Sequence, residues 1–309
     1  MGARSVAILA GGLLFAAGLA RAGEEHGRRP AVPGLVQQAG SVHQQARPGA
    51  EQRREQARIP AGRMSAAARE TVDRAVRTAT IRRSLAPAVV TCDAAFLDFA
   101  LARPDVMVDL WRSLGISRLS LDPVAPGQWQ LSDGYGTTGS VHLVHRERTA
   151  TGGMCVFHAR GGYSGPLSPR DLTGSCLVVV RYDGIGPDRE GRERQQVEID
   201  AFLDVDGLGL EIVTRSLQPL IMRSASANLR EICLFVSQLT TAAARNPTAM
   251  ARLAERMPRT PAEDRRVFAA LAGGRPPASG TTAREAEDIS DEIAGRWMPV
   301  EQLDATLRR

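Results

Sequence analysis

Three glycines, Gly134, Gly136 and Gly139, follow the order G-x-G-x-x-G that phosphate-binding loops use. In a dinucleotide site such a loop opens a helix, whose N-terminus holds the pyrophosphate. Here the alternating stretch "SVHLVHR" follows, which predicts a strand instead. A kinase glycine loop does lie in a hairpin, but it needs a lysine on a later strand, and the chain contains no lysine. The glycines therefore predict a connection between strands 126–132 and 139–146, and no cofactor is expected.

Two histidines suggest a second kind of chemistry. If strands 139–146 and 154–161 form a hairpin of symmetric register, His142 and His158 lie side by side, within reach of one metal ion. The sequence offers no clear third ligand, so a surface pair is favoured and no metal is predicted. The neighbouring His145 is in phase with Val141 and Leu143, which predicts a polar group on the apolar face of the sheet.

The acidic residues and the cysteines are the remaining side chains that could take part in chemistry. The carboxylates alternate along one strand onto its polar face and predict a solvated surface: Glu198, Asp200, Asp204 and Asp206. Each cysteine lies in an apolar stretch without C-x-x-C spacing: Cys92, Cys155, Cys176 and Cys233. Three disulfide pairings are open to an exported protein, but a buried free thiol is favoured at each position.

The elements that must position these groups are mostly strands. From residue 116 to 206 apolar residues recur every second position in six stretches, of which "SCLVVVRY" is apolar throughout and predicts a central strand. This pattern predicts an antiparallel sheet covered on a single side. Residues 208–244 carry a helical apolar stripe, which Pro219 should kink or interrupt. Two short helices are predicted before the sheet, the second opening at Pro104 and ending at Gly115.

This order of elements resembles the helix-grip superfamily of START and Bet v 1-like proteins. The resemblance covers about residues 86–245 and includes "FALARPDVMVDLW" and "DAFLDVDGLGLEIVTRSLQPLI". It implies an α+β fold in which one antiparallel sheet of about six to seven strands grips a long C-terminal helix. It also implies a cavity between sheet and helix that holds an apolar ligand. The candidate lining residues are Leu119, Leu121, Trp129, Leu131, Val141, Leu143, His145, Phe157, Ile199, Leu203, Leu217 and Ile221. The same residues would equally form a packed core.

The flanking segments predict export and an extended N-terminal region. Arg4 precedes the apolar run 6–20, and Ala20 and Ala22 fit a signal-peptidase site, so residues 1–22 predict a signal peptide, with an uncleaved membrane anchor as the alternative. Residues 23–64 are rich in Arg, Gln and Pro and predict disorder. A helical extension is expected over 65–84, the main domain over 85–245, and a helical tail over 246–309 with a linker at 273–282.

The distribution of charge along the chain limits the classes of binding partner that are expected. All 39 basic residues are arginine; residues 23–85 carry 12 arginines against 6 acidic residues, whereas 86–309 carry 25 against 28. A nucleic-acid module places its positive charge on the folded domain, so nucleic acid is not expected as a partner. The sequence thus predicts an exported, periplasmic or secreted, non-enzymatic domain that binds an apolar small molecule or lipid. Two alternatives stay open: an envelope protein with a closed core, whose Arg-rich extension contacts a protein or an anionic membrane, and a cyclase- or hydrolase-like enzyme using His145.

Overall fold

The computed structural model describes residues 59–164, 171–206, 210–273 and 289–295, with the backbone alone at 61, 172 and 210–227. The predicted signal peptide, most of the 23–64 segment, nearly all of the 273–282 linker and the end of the tail lie outside these residues. A 3₁₀ turn (Ala61–Arg63) precedes the first elements: α1 (Ala66–Thr78), β1 (Ile81–Ser84), β2 (Ala88–Thr91), α2 (Ala94–Ala102) and α3 (Pro104–Ser113). Six strands follow: β3 (Ser120–Ala125), β4 (Gln128–Ser132), β5 (Thr137–Arg148), β6 (Gly152–Tyr163), β7 (Leu172–Gly184) and β8 (Arg194–Val205). The remaining helices are α4 (Leu210–Arg245), α5 (Pro247–Glu255), α6 (Ala262–Ala272) and α7 (Ser290–Ala294).

The fold is α+β, with one antiparallel sheet in the order β1-β8-β7-β6-β5-β4-β3. The six strands expected from the two-residue period are all present, and the apolar β7 lies inside the sheet, as predicted. The sheet nevertheless has eight strands, not six or seven, because β1 and β2 both pair with β8. The predicted helical extension over 65–84 is helical only over Ala66–Thr78, and its last residues form β1.

One face of the sheet, called here the first face, packs against most of the helices. It carries Trp129, Val141 and Phe157, each at most 2% exposed. The described half of α4 lies in the same core through Leu229, Ile232, Cys233, Phe235, Val236, Leu239, Ala242 and Ala243. Between these residues and the sheet the interior is filled with side chains.

The opposite face, the second face, is also covered, and the expectation of a sheet covered on a single side is therefore wrong. Helix α1 and the residues before it form an arm, residues 59–78, that lies on the second face. Its apolar residues are Ile59, Met64, Ala68, Val72, Ala75 and Val76, and they pack on Met154, Val156, Leu177, Val179 and Phe202. The apolar residues of β6, β7 and β8 on this face provide a surface that a short amphipathic helix can bury.

The long helix is continuous over 36 residues and passes through Pro219 without a break. Of the kink or interruption predicted at Pro219, the interruption is therefore not found. Proline removes one backbone hydrogen bond and costs about 3 kcal/mol in a helix interior. Burial of the later turns in the core offsets a defect confined to one turn. The predicted start of α3 is confirmed, since Pro104 opens this helix. Helix α5 begins where the Asn246 side chain accepts a hydrogen bond from the Ala249 amide.

A buried carboxylate ties α2 to the sheet. The Asp98 side chain is 3% exposed and accepts hydrogen bonds from Arg146 Nε at 3.0 Å and from Tyr182 Oη at 3.1 Å. Arg146 Nη2 bonds the second carboxylate oxygen, so the guanidinium binds in a bidentate manner. Arg148 lies near, with Nη1 3.7 Å from Oδ2. Burial, followed by the Asp98 charge, raises the pKa of Tyr182, which therefore remains a donor.

Two carboxylates of α3 make comparable connections. Asp105 accepts from Trp129 Nε1 at 3.0 Å and fixes α3 to β4. Asp109 Oδ2 accepts from the amides of Arg259 and Thr260, both at 2.9 Å, and from the Thr260 hydroxyl at 2.8 Å. Asp109 thus holds the chain where it enters α6.

Candidate ligand cleft

Gly134 and Gly136 lie in the hairpin connection that the sequence predicts, and Gly139 lies in the following strand β5. Strands β4 and β5 pair directly, with Ser132 opposite Thr138. Asp133 Oδ1 accepts from the amides of Tyr135 and Thr137, at 2.7 and 2.9 Å, and closes the turn. Gly136 has φ +113°, a conformation that side-chain-bearing residues rarely adopt. No helix begins here, so the loop lacks the helix N-terminus that a pyrophosphate site requires.

A row of glycines crosses the first face beside this turn. Gly139 lies opposite Gly161, and Gly161 lies opposite Gly174 on the next strand. A β-carbon at Gly161 would stand 2.4 Å from the Thr138 carbonyl oxygen, so a side chain there would require the backbone to move. The glycine row (Gly139, Gly161, Gly174) therefore leaves bare backbone where neighbouring rows carry core side chains.

The glycine row forms the floor of an apolar cleft. Its enclosed volume is about 40 Å³, and its total empty space, including the part open to solvent, is about 520 Å³. The described residues around it come from strands β4 to β8 and the turn, and the side chains that face it are Leu131, Thr137, Val141, Ala159, Tyr163, Cys176, Leu203 and Val205. The enclosed part is much smaller than the several hundred Å³ typical of pockets that surround a whole small molecule.

One side chain of this cleft has an unused polar group. Thr137 is 4% exposed, and its hydroxyl has no hydrogen-bond partner among the residues that the structure describes. Leaving a buried hydroxyl unpaired costs about 1 to 3 kcal/mol. A hydrogen bond from the Thr137 amide to the Asp133 carboxylate holds the main chain of Thr137 in place. The hydroxyl can therefore be reoriented by rotation about the Cα–Cβ bond alone. An acceptor placed in the cleft would satisfy this group.

The residues predicted to line a ligand cavity fall mainly into two groups in the structure, those that line the cleft and those that belong to the packed core. Leu131, Val141 and Leu203 line the cleft. Leu119, Leu121, Trp129 and Phe157 are buried in the packed core, and Leu143 and Ile199 lie partly buried against it. The side chains of Leu217 and Ile221 lie outside the described residues. Sequence reasoning missed Thr137, Tyr163 and the glycine row, although Gly139 and Gly161 are in phase with Val141 and Ala159.

His145 does not lie on the first face, and its predicted placement is wrong. The pairing of β5 with β6 shifts between Leu143 and His145, so Val144 is an extra residue. His145 therefore pairs with Val156 and lies on the second face, with Nε2 3.9 Å from Glu147 Oε2 and without a hydrogen bond. Burial, and then the Arg63 charge, lower the pKa of His145. The group is neutral near pH 7 and remote from the cleft.

The predicted histidine pair is confirmed. His142 lies directly opposite His158 in the β5–β6 ladder, on the second face. Burial, then His142, Arg160 and Arg74 lower the pKa of His158. Within the described ranges no group of three His, Cys, Asp or Glu side chains is arranged to hold a metal ion. The two imidazoles stand among arginines, which oppose a cation.

The cysteines are buried free thiols, as the sequence favours. Burial raises the pKa of Cys155, Cys176 and Cys233 to about 12 and raises that of Cys92 as well. Cys176 lines the cleft, but as a protonated thiol it is a poor nucleophile. The cleft is thus built for contact with an apolar group and one acceptor.

Comparisons with known proteins add little to this description. Neither protein-family models nor curated proteins match the sequence. Among solved structures, the chain is similar to Mll3558 of Rhizobium loti at 18% identity, over 48% of this chain and 97% of that one, with a TM-score of 0.27. An uncharacterised protein of Rhizobium leguminosarum gives 12% identity, 49% and 99% coverage, and a TM-score of 0.24. No conclusion is drawn from values this low.

One further property concerns membranes. Of the helices in the part of the chain that the structure describes, none combines the length and the hydropathy of a membrane span.

Proposed function

We propose that this protein binds the apolar chain of a small molecule or lipid in the glycine-floored cleft, without catalysing a reaction. The observation that carries the proposal is the combination at one place of glycine backbone, surrounding apolar side chains and the unpaired Thr137 hydroxyl. The glycine row admits a chain close to the backbone, and Thr137 donates to a carbonyl, carboxylate or hydroxyl oxygen at its end.

The enclosed volume of the cleft defines the class of ligand. A volume of about 40 Å³ is too small to surround a sterol or another fused-ring molecule, and the remaining empty space of the cleft includes open solvent. A linear chain that lies along the strands, partly exposed, fits this shape better than a compact one. The ligand class is therefore an acyl or alkyl chain with an oxygen-bearing end.

The proposal keeps the helix-grip interpretation of the fold. Strand, two helices, antiparallel strands and long helix follow each other in the described chain, and β8 lies beside the first strands. In helix-grip proteins the ligand lies between sheet and long helix, on the face that carries this cleft. The apolar run 6–20, followed by Ala20 and Ala22, supports export of the domain to the periplasm or the medium.

A second candidate function has its own observation. The space between the first face and the described half of α4 is filled with buried side chains, as in a closed structural core. In this alternative the protein is an envelope component, and the Arg-rich extension contacts a protein or an anionic membrane.

Fluorescence titration with cis-parinaric acid tests the first candidate. We expect saturable binding, and at least about tenfold weaker binding by Thr137→Val, because a hydrogen bond to the charged carboxylate of the probe contributes about 1.5 to 3 kcal/mol. Valine keeps the shape of threonine. Thr138→Val is the matched control, since Thr138 is exposed and its side chain points to the opposite face.

Native mass spectrometry of protein purified from its own host gives an independent test. A defined lipid that co-purifies would support the proposal and identify the ligand class. A ligand-free mass together with no saturable binding of the probe would overturn it. Equal affinities of the two valine variants would remove Thr137 from the site.

A further inference from the structure

A second cavity, remote from the apolar cleft, lies at the C-terminal end of α4. Its volume is about 280 Å³. Its walls come from the end of β2, the β7–β8 connection, the last three turns of α4 and the segment around α7. The lining residues are Thr91, Arg192, Ser237, Gln238, Thr241, Ala242, Arg245, Glu292 and Ile293.

The polar wall of this cavity is held in place by its own hydrogen bonds. Ser237 Oγ accepts from the Thr91 amide at 2.9 Å and donates to the Cys233 carbonyl at 2.7 Å. Thr241 Oγ1 donates to the Ser237 carbonyl at 2.6 Å and accepts from Arg192 Nη1 at 3.0 Å. The hydroxyl groups therefore have fixed positions before any ligand arrives.

The charged groups of the wall are neutralised locally. Arg192 binds Asp188 through Nε and Nη2, both at 2.8 Å, and Glu190 through Nη2 at 3.2 Å. Arg245 Nη1 lies 3.4 Å from Glu292 Oε1. Three carboxylates thus face two guanidiniums, so a free anion finds no uncompensated positive charge here.

One wall residue has an unused acceptor. Gln238 lines the cavity, and its Oε1 is buried without a hydrogen-bond partner among the described residues. This acceptor suits a ligand that donates a hydrogen bond, and the paired guanidiniums, which still carry N–H groups, suit a ligand that accepts one and has no negative charge.

We propose that this cavity binds a neutral polyhydroxylated molecule of about the size of a monosaccharide. Its hydroxyls donate to Gln238 and accept from Arg245, and its C–H surface contacts Ala242 and Ile293. The site is independent of the apolar cleft, so either proposal can fail alone.

Saturation-transfer NMR on the full-length protein tests the proposal, with glucose as the probe and sodium sulfate and putrescine as charged competitors. We expect saturable transfer to glucose that neither competitor displaces. Gln238→Leu should weaken binding about fivefold, since it removes one neutral hydrogen bond. Gln130→Leu is the matched control, because Gln130 is exposed on β4.

Glu292→Gln provides a second variant that changes only a half-exposed side chain, in case Gln238→Leu fails to fold. In this variant sulfate should displace glucose, because the Arg245 guanidinium is no longer paired with a carboxylate. Absence of saturable transfer to glucose, or displacement of glucose from the natural protein by sulfate or putrescine, would overturn the proposal.

Discussion

Replacement of Arg146 by methionine should destabilise the protein by about 2 to 3 kcal/mol. Asp98 is 3% exposed, and Arg146 makes two of its close hydrogen bonds. Removing one partner of a buried ion pair costs about 3 to 5 kcal/mol. Two observations reduce that figure here: the Arg146 side chain is 42% exposed, and Arg148 stands 3.7 Å from Asp98, able to replace part of the lost charge.

Urea unfolding followed by circular dichroism measures this loss, and a double-mutant cycle isolates the pair. Asp98→Leu combined with Arg146→Met should be less destabilised than the sum of the single variants by about 2 kcal/mol, because no unpaired charge then remains. Arg74→Met is the matched control. It breaks an exposed pair with Glu70, with side chains 67% and 69% exposed, and should cost no more than about 0.5 kcal/mol. An Arg146→Met loss no larger than that of the control would refute the reasoning.

Three further changes have expected outcomes. The free energy of unfolding should fall as the pH drops below 6.5, the ordinary pKa of histidine, because burial lowers the pKa values of His145 and His158 and the unfolded chain then takes up protons that the folded chain excludes. Urea unfolding at neutral pH and at about pH 5 measures this loss of stability, and the loss should be smaller when both histidines are replaced by glutamine. An equal loss in that double variant would contradict the prediction. Asp109→Ala removes three hydrogen bonds from residues 259–260 and should lower the free energy of unfolding by about 3 kcal/mol. The amides of these two residues should then exchange their hydrogens faster. Unchanged protection of these amides would indicate that α6 docks without Asp109. Gly161→Ala should lower the free energy of unfolding by about 1 to 3 kcal/mol, because the new β-carbon would collide with the backbone of the neighbouring strand. Gly62→Ala is the control, because a β-carbon there has open space and should hardly change the melting temperature. Equal melting temperatures of the two variants would show that the sheet adapts.

The sequence pattern predicts the sheet well because residues two apart share a face. This rule places His142 beside His158 and Val141 beside the cleft, both as found. The same rule fails for His145, because the extra residue at Val144 reverses the faces and leaves no mark in the pattern. Prediction of a bulge requires knowledge of which residues pair across the strands.

Contacts between segments that are distant in sequence account for the other differences between the predicted and the observed structure. Val72 and Val76 predict an amphipathic helix, but nothing in the local sequence indicates that it covers the sheet. Phe202 stands among the acidic residues of β8 and was the available sign of a second apolar surface. The buried carboxylate of Asp98 resembles a surface residue in the sequence, because only the fold brings Arg146 and Tyr182 to it. The unpaired Thr137 hydroxyl is likewise a property of the assembled sheet.

The arm over residues 59–78 separates the point where the chain enters the described domain from the apolar cleft. Ile59 packs on the second face, while the cleft lies on the first face. A partner that holds the chain next to Ile59 and a ligand in the cleft would therefore contact opposite faces of the sheet, so that neither would have to displace the other.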